Sequence, residues 1–265
     1  MWRSRRQSST TWFASRTSTV VSAIALAACG RGDFDLHQDG SIDSPTIDTI
    51  DAPAFPLPQG LIARYPMDDV PATSGVAIPP SFTATCDQCP STVPGVIGNA
   101  WHFTQTQYLV VPDASVVDPS HAYSVAVWLN ADAGIVGNPA LAQELDDTEQ
   151  SDTFALNFVD SDGALSFETT SGGSAIEYVQ APGELRGAWH HVVATWDGTT
   201  KTMYIDGVNV GSKPATIAPS AQPLEIGRDR DLGAPKFLFA GDLDELEFYD
   251  HALSDTDVAM VFSAR

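Results

Sequence analysis

From Gly60 onward the chain is cut into short, apolar-alternating runs by glycine, proline, aspartate and asparagine, a punctuation that leaves no room for long helices. "LIARYPM", "AWHFTQTQYLVV", "AYSVAVWLNA", "TFALNFV", "ALSFETT", "AIEYVQA", "HHVVATW", "KTMYI", "PLEIG" and "DLDELEFYD" each read as a strand. β-Branched and aromatic residues fill them, with the period of two that a half-buried pleated ribbon requires. "DSDG" (Asp160 to Gly163), "DGTT" (Asp197 to Thr200) and Asp206-Gly207 suit hairpin turns, because Asp and Gly tolerate positive φ. One helical turn is expected, at the end, where Ser254 caps "SDTDVAMVF" and Asp257 completes a capping box. The pattern predicts an all-β fold, a two-sheet antiparallel β-sandwich with a short C-terminal helical turn, over residues 60–265.

The N-terminal part is of another kind. A basic start with Arg3, Arg5 and Arg6 leads into the apolar run Thr19 to Cys29, too short to span a bilayer as a stable helix. The run ends in Leu26-Ala27-Ala28-Cys29, which resembles the bacterial lipobox. That resemblance implies a signal peptide over 1–28, cleavage before Cys29 and lipidation of that cysteine; the alternative is an ordinary signal peptide with a cysteine near its cleavage site. Residues 29–59, rich in Asp, Pro, Ser and Thr and without a sustained period, are expected to form an acidic disordered tether. The expected location is outside the cytoplasm, lipid-anchored to the cell envelope. In a cell with two membranes, Gly30 after the cysteine, rather than Asp, implies sorting to the outer membrane.

Charge narrows the partners. The formal net charge is −21, and such a body repels phosphate backbones, which excludes nucleic acid and leaves membrane contact to the lipid alone. Scattered carboxylates suit calcium. With Cys29 assigned to lipid, Cys86 and Cys89 remain as "CDQC". Two cysteines cannot make a four-cysteine zinc site, and "PSTVPG" supplies no helix for a thioredoxin-like pair. A local disulfide is the expectation in an exported protein.

The order "GLIARYPMDD", "GVIGNAWHFTQTQYLVVPD", "AYSVAVWLNA", "GAWHHVVATWDGTTKTMYIDGVNVG", "LEIGRD" and "FAGDLDELEFYDHALSDTDV" resembles the laminin-G-like jelly roll of the concanavalin A-like lectin/glucanase superfamily. The resemblance runs from about Gly60 to about Phe262. Its most specific blocks are Trp189-His190-His191-Val192 with the following Trp196-Asp197-Gly198, and the closing Asp244-Glu245-x-x-x-Tyr249-x-x-Ala252-Leu253-Ser254. Departures are the "CDQC" segment and the acidic loop "QELDDTEQSD" from Gln143 to Asp152.

Adjacent histidines on a strand point to opposite faces, so His190 and His191 cannot chelate one ion together, and they are expected to be framework residues, with one imidazole satisfying buried backbone groups. "DLDELE" resembles the catalytic Glu-x-Asp-x-x-Glu of the superfamily's glucanases, which would make Asp242, Asp244 and Glu247 the carboxylates of a glycoside hydrolase. Those carboxylates would converge only if a bulge brought Glu247 to the same face, and an Asp stands where the motif begins with Glu. In superfamily members a calcium ion often ties the first strand region to the last. The resemblance therefore implies Ca2+ at Asp244 and Asp68, with Gly98 and Asn99 as weaker donors. The function expected is that of a surface-anchored, non-catalytic binding or adhesion module for a glycan or surface protein. A glycoside hydrolase and a structural envelope protein without its own ligand are the alternatives.

Overall fold

The computed structural model describes residues 57–69, 74–75, 77, 82–144, 152–159, 162–172, 176–231 and 234–264. The expected signal peptide, Cys29, most of the expected tether and residues 145–151 of the acidic loop lie outside the described residues.

The alternating runs form two antiparallel sheets. Across the first sheet stand β14 (Val208–Pro214), β13 (Thr200–Ile205), β12 (His190–Trp196), β7 (Tyr123–Ala131), β18 (Ala240–Tyr249), β5 (Asn99–Thr104) and β4 (Ser91–Pro94), and β1 (Leu61–Tyr65) also pairs with β18. Across the second stand β11 (Ile176–Gln180), β10 (Leu165–Thr170), β9 (Asp152–Phe158), β8 (Asn138–Glu144), β15 (Leu224–Ile226), β6 (Leu109–Val111), β3 (Ala84–Thr85) and β2 (Ser74–Gly75). β16 (Asp229–Asp231) and β17 (Ala234–Lys236) make a separate hairpin. The expected sandwich is present.

The inner faces meet through Phe103, Leu129, Phe154, Phe158, Phe167, Phe239 and Phe248, all fully buried. Removing this apolar surface from water is the main driving force for the fold. A smaller cluster lies on the outside of the first sheet, where Ala126, Val193, Tyr204 and Tyr249 are covered by Val258 and Val261 of α1 (Asp255–Ser263). Ser254 caps that helix as the sequence predicts: its side chain accepts from the Asp257 amide, and the Asp257 side chain accepts from the Ser254 amide.

One run divides. "AWHFTQTQYLVV" becomes β5 in the first sheet and β6 in the second. Its polar centre forms the corner, with Gln105 at φ 62° and the Gln107 side chain accepting from the Thr104 amide at 2.7 Å.

His190 and His191 take opposite sides. His190 Nδ1 meets a carboxylate, Asp206 Oδ2, at 2.8 Å rather than a backbone group, and His191 packs against Trp128 and Phe262 on the helix side. Asp206 and Gly207 both have positive φ, as a primed hairpin turn requires.

β18 changes partner along one edge. Ala240 to Leu243 pair with β5, and Leu246 to Tyr249 pair with β1. Between them lies a bulge, with Glu245 at φ 51°, which terminates one ladder and starts the next. Glu245 holds Arg64 of β1 through two contacts of 2.6 Å.

Candidate binding site

The loop from Gly95 to Asn99 passes beside this bulge. Asp244 Oδ2 accepts from the amides of Val96 at 2.8 Å and Ile97 at 3.0 Å. Its Oδ1 is buried and has no hydrogen-bond partner. Asp68 Oδ1 accepts from the Asn99 amide at 2.9 Å, and Asn99 Nδ2 returns a bond to the Asp68 carbonyl at 2.9 Å. A Cβ on Gly95 would lie 2.6 Å from Asp244 Oδ2, and one on Gly98 would lie 2.1 Å from Asp68 Oδ1. The loop therefore needs glycine at both places to reach the carboxylates.

The four residues named for calcium meet at this one loop. Burial pushes the Asp244 carboxyl up to about 7, with the nearby Glu245 and Asp68 carboxylates adding to the effect. An orphaned, buried carboxylate oxygen beside a second carboxylate fits a hard cation. No group of three or more acid, histidine or cysteine ligands occurs among the described residues, so carbonyls and water would have to complete the six to eight oxygens that calcium takes.

The bulge also brings Glu247 to the outer face of β18 with Asp242 and Asp244, the condition that the glucanase reading required. Each carboxylate is engaged separately. Asp242 holds His102 Nδ1 at 2.7 Å and Asn130 Nδ2 at 3.3 Å. Glu247 is fully buried, accepts from the Tyr249 hydroxyl at 2.7 Å and lies 3.6 Å from Arg64. With Asp244 equally buried, no open pair of carboxylates is presented to flank a sugar. Cys86 and Cys89 are joined by a disulfide between β3 and β4, as expected.

A site that sequence reasoning missed lies on the outside of the second sheet. Cross-strand partners share a face, and here they line up Tyr178, Glu168, Ala155, Ala142, Glu225 and Val110 across β11, β10, β9, β8, β15 and β6. Beside this row stand Gln180, Ser166 and Asn157. Their neighbours Phe167, Leu156 and Leu224 fill the core, so these residues face outward. Ala155 and Ala142, 1% and 0% exposed, form the floor between Glu168 and Glu225.

The floor is walled by polar groups that are buried although they face away from the core. Glu168 is 3% and Glu225 2% exposed. Ser166 Oγ and Asn157 Oδ1 are buried without a hydrogen-bond partner. Glu225 receives Arg228 Nε at 2.7 Å and Arg230 Nε at 2.6 Å. The Arg228 guanidinium lies 3.4 Å from the centre of the Tyr108 ring, and its Nη1 is buried and unpartnered. Burial raises the Asp229 carboxyl to about 6, helped by Glu225. Tyr178 stands at the far wall, 51% exposed. Alternation in "ALSFETT" places Ser166 and Glu168 outward, but nothing in the sequence says that outward groups there would be buried.

A model of the Concanavalin A-like lectin/glucanases superfamily matches residues 103–259. No curated protein matches the chain. Among solved structures it is similar to the binding domain of Paraclostridial Mosquitocidal Protein 1, with a TM-score of 0.62 and 13% identity over 77% of this chain and 52% of that one. It is similar to domain 4 of AbnA, a GH43 extracellular arabinanase from Geobacillus stearothermophilus, in complex with arabinotriose, with a TM-score of 0.59 and 21% identity over 76% and 97%. The botulinum neurotoxin serotype D binding domain gives 0.56 and 12% over 78% and 52%. The chain thus spans about half the length of the two toxin domains and nearly all of the arabinanase domain. At these identities the likeness is one of fold.

Proposed function

The chain belongs to the Concanavalin A-like lectin/glucanases superfamily, and from that premise we propose that it is a surface-anchored, non-catalytic binding module whose ligand is a glycan held on the outer face of the second sheet. The carrying observation is the 51% exposed ring of Tyr178 at the rim of an outward sheet face whose strands present the polar side chains of Gln180, Ser166, Asn157, Glu168 and Glu225. A polyhydroxylated ligand matches polar side chains with its hydroxyls while its ring face stacks on an aromatic side chain. The arabinotriose complex of the structurally similar arabinanase domain supports a glycan over a surface protein.

Affinity electrophoresis of the protein through gels containing arabinan, laminarin or xylan tests this reading. Retardation in at least one gel, reduced at least tenfold in apparent affinity by Tyr178→Ala, is expected. No retardation in any gel, in a protein that melts cooperatively, would refute it.

Two further parts belong to the same proposal. A calcium ion at Asp244 and Asp68, with Asn99 and Gly98 beside them, would neutralise the paired carboxylates and tie β1's end to β18. A lipid on Cys29 would anchor the exported chain to the envelope, at the outer membrane. Cys29→Ala should then release the protein from membranes or leave uncleaved precursor, and a processed, lipid-labelled Cys29→Ala product would exclude the anchor.

A further inference from the structure

α1 covers only part of the outer face of the first sheet. Beyond it, the strand register sets Ser91 of β4 beside His102 of β5, His102 beside Asp242 of β18, and Asp242 beside Asn130 of β7. Leu129 pairs with His190, the first residue of β12, and Trp189 directly precedes it. The Gly187 amide bonds the Ala131 carbonyl at 2.7 Å, one residue out of the β12–β7 register, so residues 188 and 189 together stand opposite Asn130 in a bulge. Ser91 is exposed, and Asn130 and Trp189 are partly exposed. His102 and Asp242 keep 33% and 18% of their side-chain surface.

Asp242 orders the row. Its Oδ1 takes His102 Nδ1 at 2.7 Å and its Oδ2 takes Asn130 Nδ2 at 3.3 Å, which fixes both neighbours in orientation. His102 Nε2, Asn130 Oδ1 and the Ser91 hydroxyl have no hydrogen bond among the described residues. Ser91 stands next to His102 without bonding it, so the row assembles no nucleophile.

We propose that this row is a second carbohydrate-contacting surface, on the opposite side of the sandwich from the first, which takes a neutral glycan chain laid across β4, β5, β18, β7 and β12 with Trp189 as its stacking platform. Four strand spacings give the row a length of roughly 19 Å, which suits a chain rather than a single sugar. Fixed donors and acceptors ending at one indole match hydroxyls and a ring face. The row offers no apolar stripe to seat an amphipathic helix. Its central carboxylate, in a chain of net charge −21, disfavours an anionic polymer.

The two faces are separable. Calorimetric titration of the full chain with arabinan, laminarin or xylan oligosaccharides should give two sites. In Tyr178→Ala protein one site should remain, and adding Trp189→Ala or His102→Ala should weaken that site at least tenfold. His102→Ala removes the imidazole and its bond to Asp242 while leaving Trp189 in place, and so guards against misfolding of the tryptophan variant. A single site abolished by Tyr178→Ala alone would overturn the second surface and leave the first standing. Remaining binding indifferent to both added substitutions would also overturn it. Binding lost with Trp189→Ala but not with Tyr178→Ala would keep this surface and reject the first. A chain that binds no oligosaccharide overturns both.

Discussion

Lys201 on β13 reaches across the sandwich to Thr169 on β10, its Nζ donating to the threonine hydroxyl at 2.8 Å. The amine also donates to the carbonyls of Glu177 and Phe167 and lies 5.3 Å from the Phe167 ring. It is a polar strut between the two sheets, near the Lys213–Glu177 ion pair of 3.6 Å that also joins β14 to β11.

Burial lowers the Lys201 pKa to about 8, and the cationic Lys213 adds to the effect. The folded state therefore disfavours the charged amine, whose unfolded value is 10.5. The penalty is fully present below pH 8 and is relieved as pH rises through 10.5. Relative to Lys201→Met, the wild type should gain up to about 3 kcal/mol across that window. Urea unfolding at a series of pH values reads this directly; parallel curves for the two proteins would refute it.

The Cys86–Cys89 disulfide should matter little to stability. It closes a loop with a sequence separation of 3, for which chain entropy gives at most about 2 kcal/mol. Mass spectrometry without reductant should find the pair two hydrogens lighter than the dithiol, and the reduced protein should still unfold cooperatively. Loss of folding on reduction would show that the segment holds more than its own loop.

Legibility differed between fold and site for a physical reason. Alternation is a local property, so β7, β10 and β12 stand almost where "AYSVAVWLNA", "ALSFETT" and "HHVVATW" placed them. β4, β8 and β14 went unread. β8 carries Pro139 and is buried on both faces from Ala140 to Gln143, and β14 is an edge strand with Val208 64% exposed, so neither shows the alternation of a half-buried strand. Which residues meet across strands is set by register, and no residue in "ALSFETT" announces that Glu168 will stand beside Tyr178. The Asp244 and Asp68 meeting was legible only through the family's pattern. The bulge that creates it needs a positive φ at Glu245, which a glutamate does not advertise.

The cap of α1 offers a graded test of the helix cover. Ser254→Ala removes the bond to the Asp257 amide and should cost about 1 kcal/mol. Because α1 brings Phe262 against Trp128 at 5.7 Å, quenching of Trp128 fluorescence by acrylamide should rise with it. An unchanged stability would mean that packing of Val258 and Val261, rather than the cap, decides whether the helix forms.

The loop at Asp244 gives the most discriminating prediction. Its buried Oδ1 lacks a partner while Asp68 and Glu245 raise the cost of charge nearby, so a cation that binds only the folded state should stabilise it. The gain follows RT ln(1 + [L]/Kd), about 2.7 kcal/mol at a hundredfold excess over Kd. Calcium should raise the melting temperature and a chelator lower it. Magnesium should substitute poorly, because it demands a tighter octahedral cage. Asp244→Ala should abolish the response and Asp68→Ala weaken it. Gly95→Ala should abolish it too, with both carboxylates intact, because the new Cβ would fall 2.7 Å from the Asn99 backbone and force the loop away. A calcium response that survives Gly95→Ala would place the ion elsewhere. Identical melting with calcium and with chelator would leave Asp244 as a hydrogen-bonded anchor for the Val96 and Ile97 amides and nothing more.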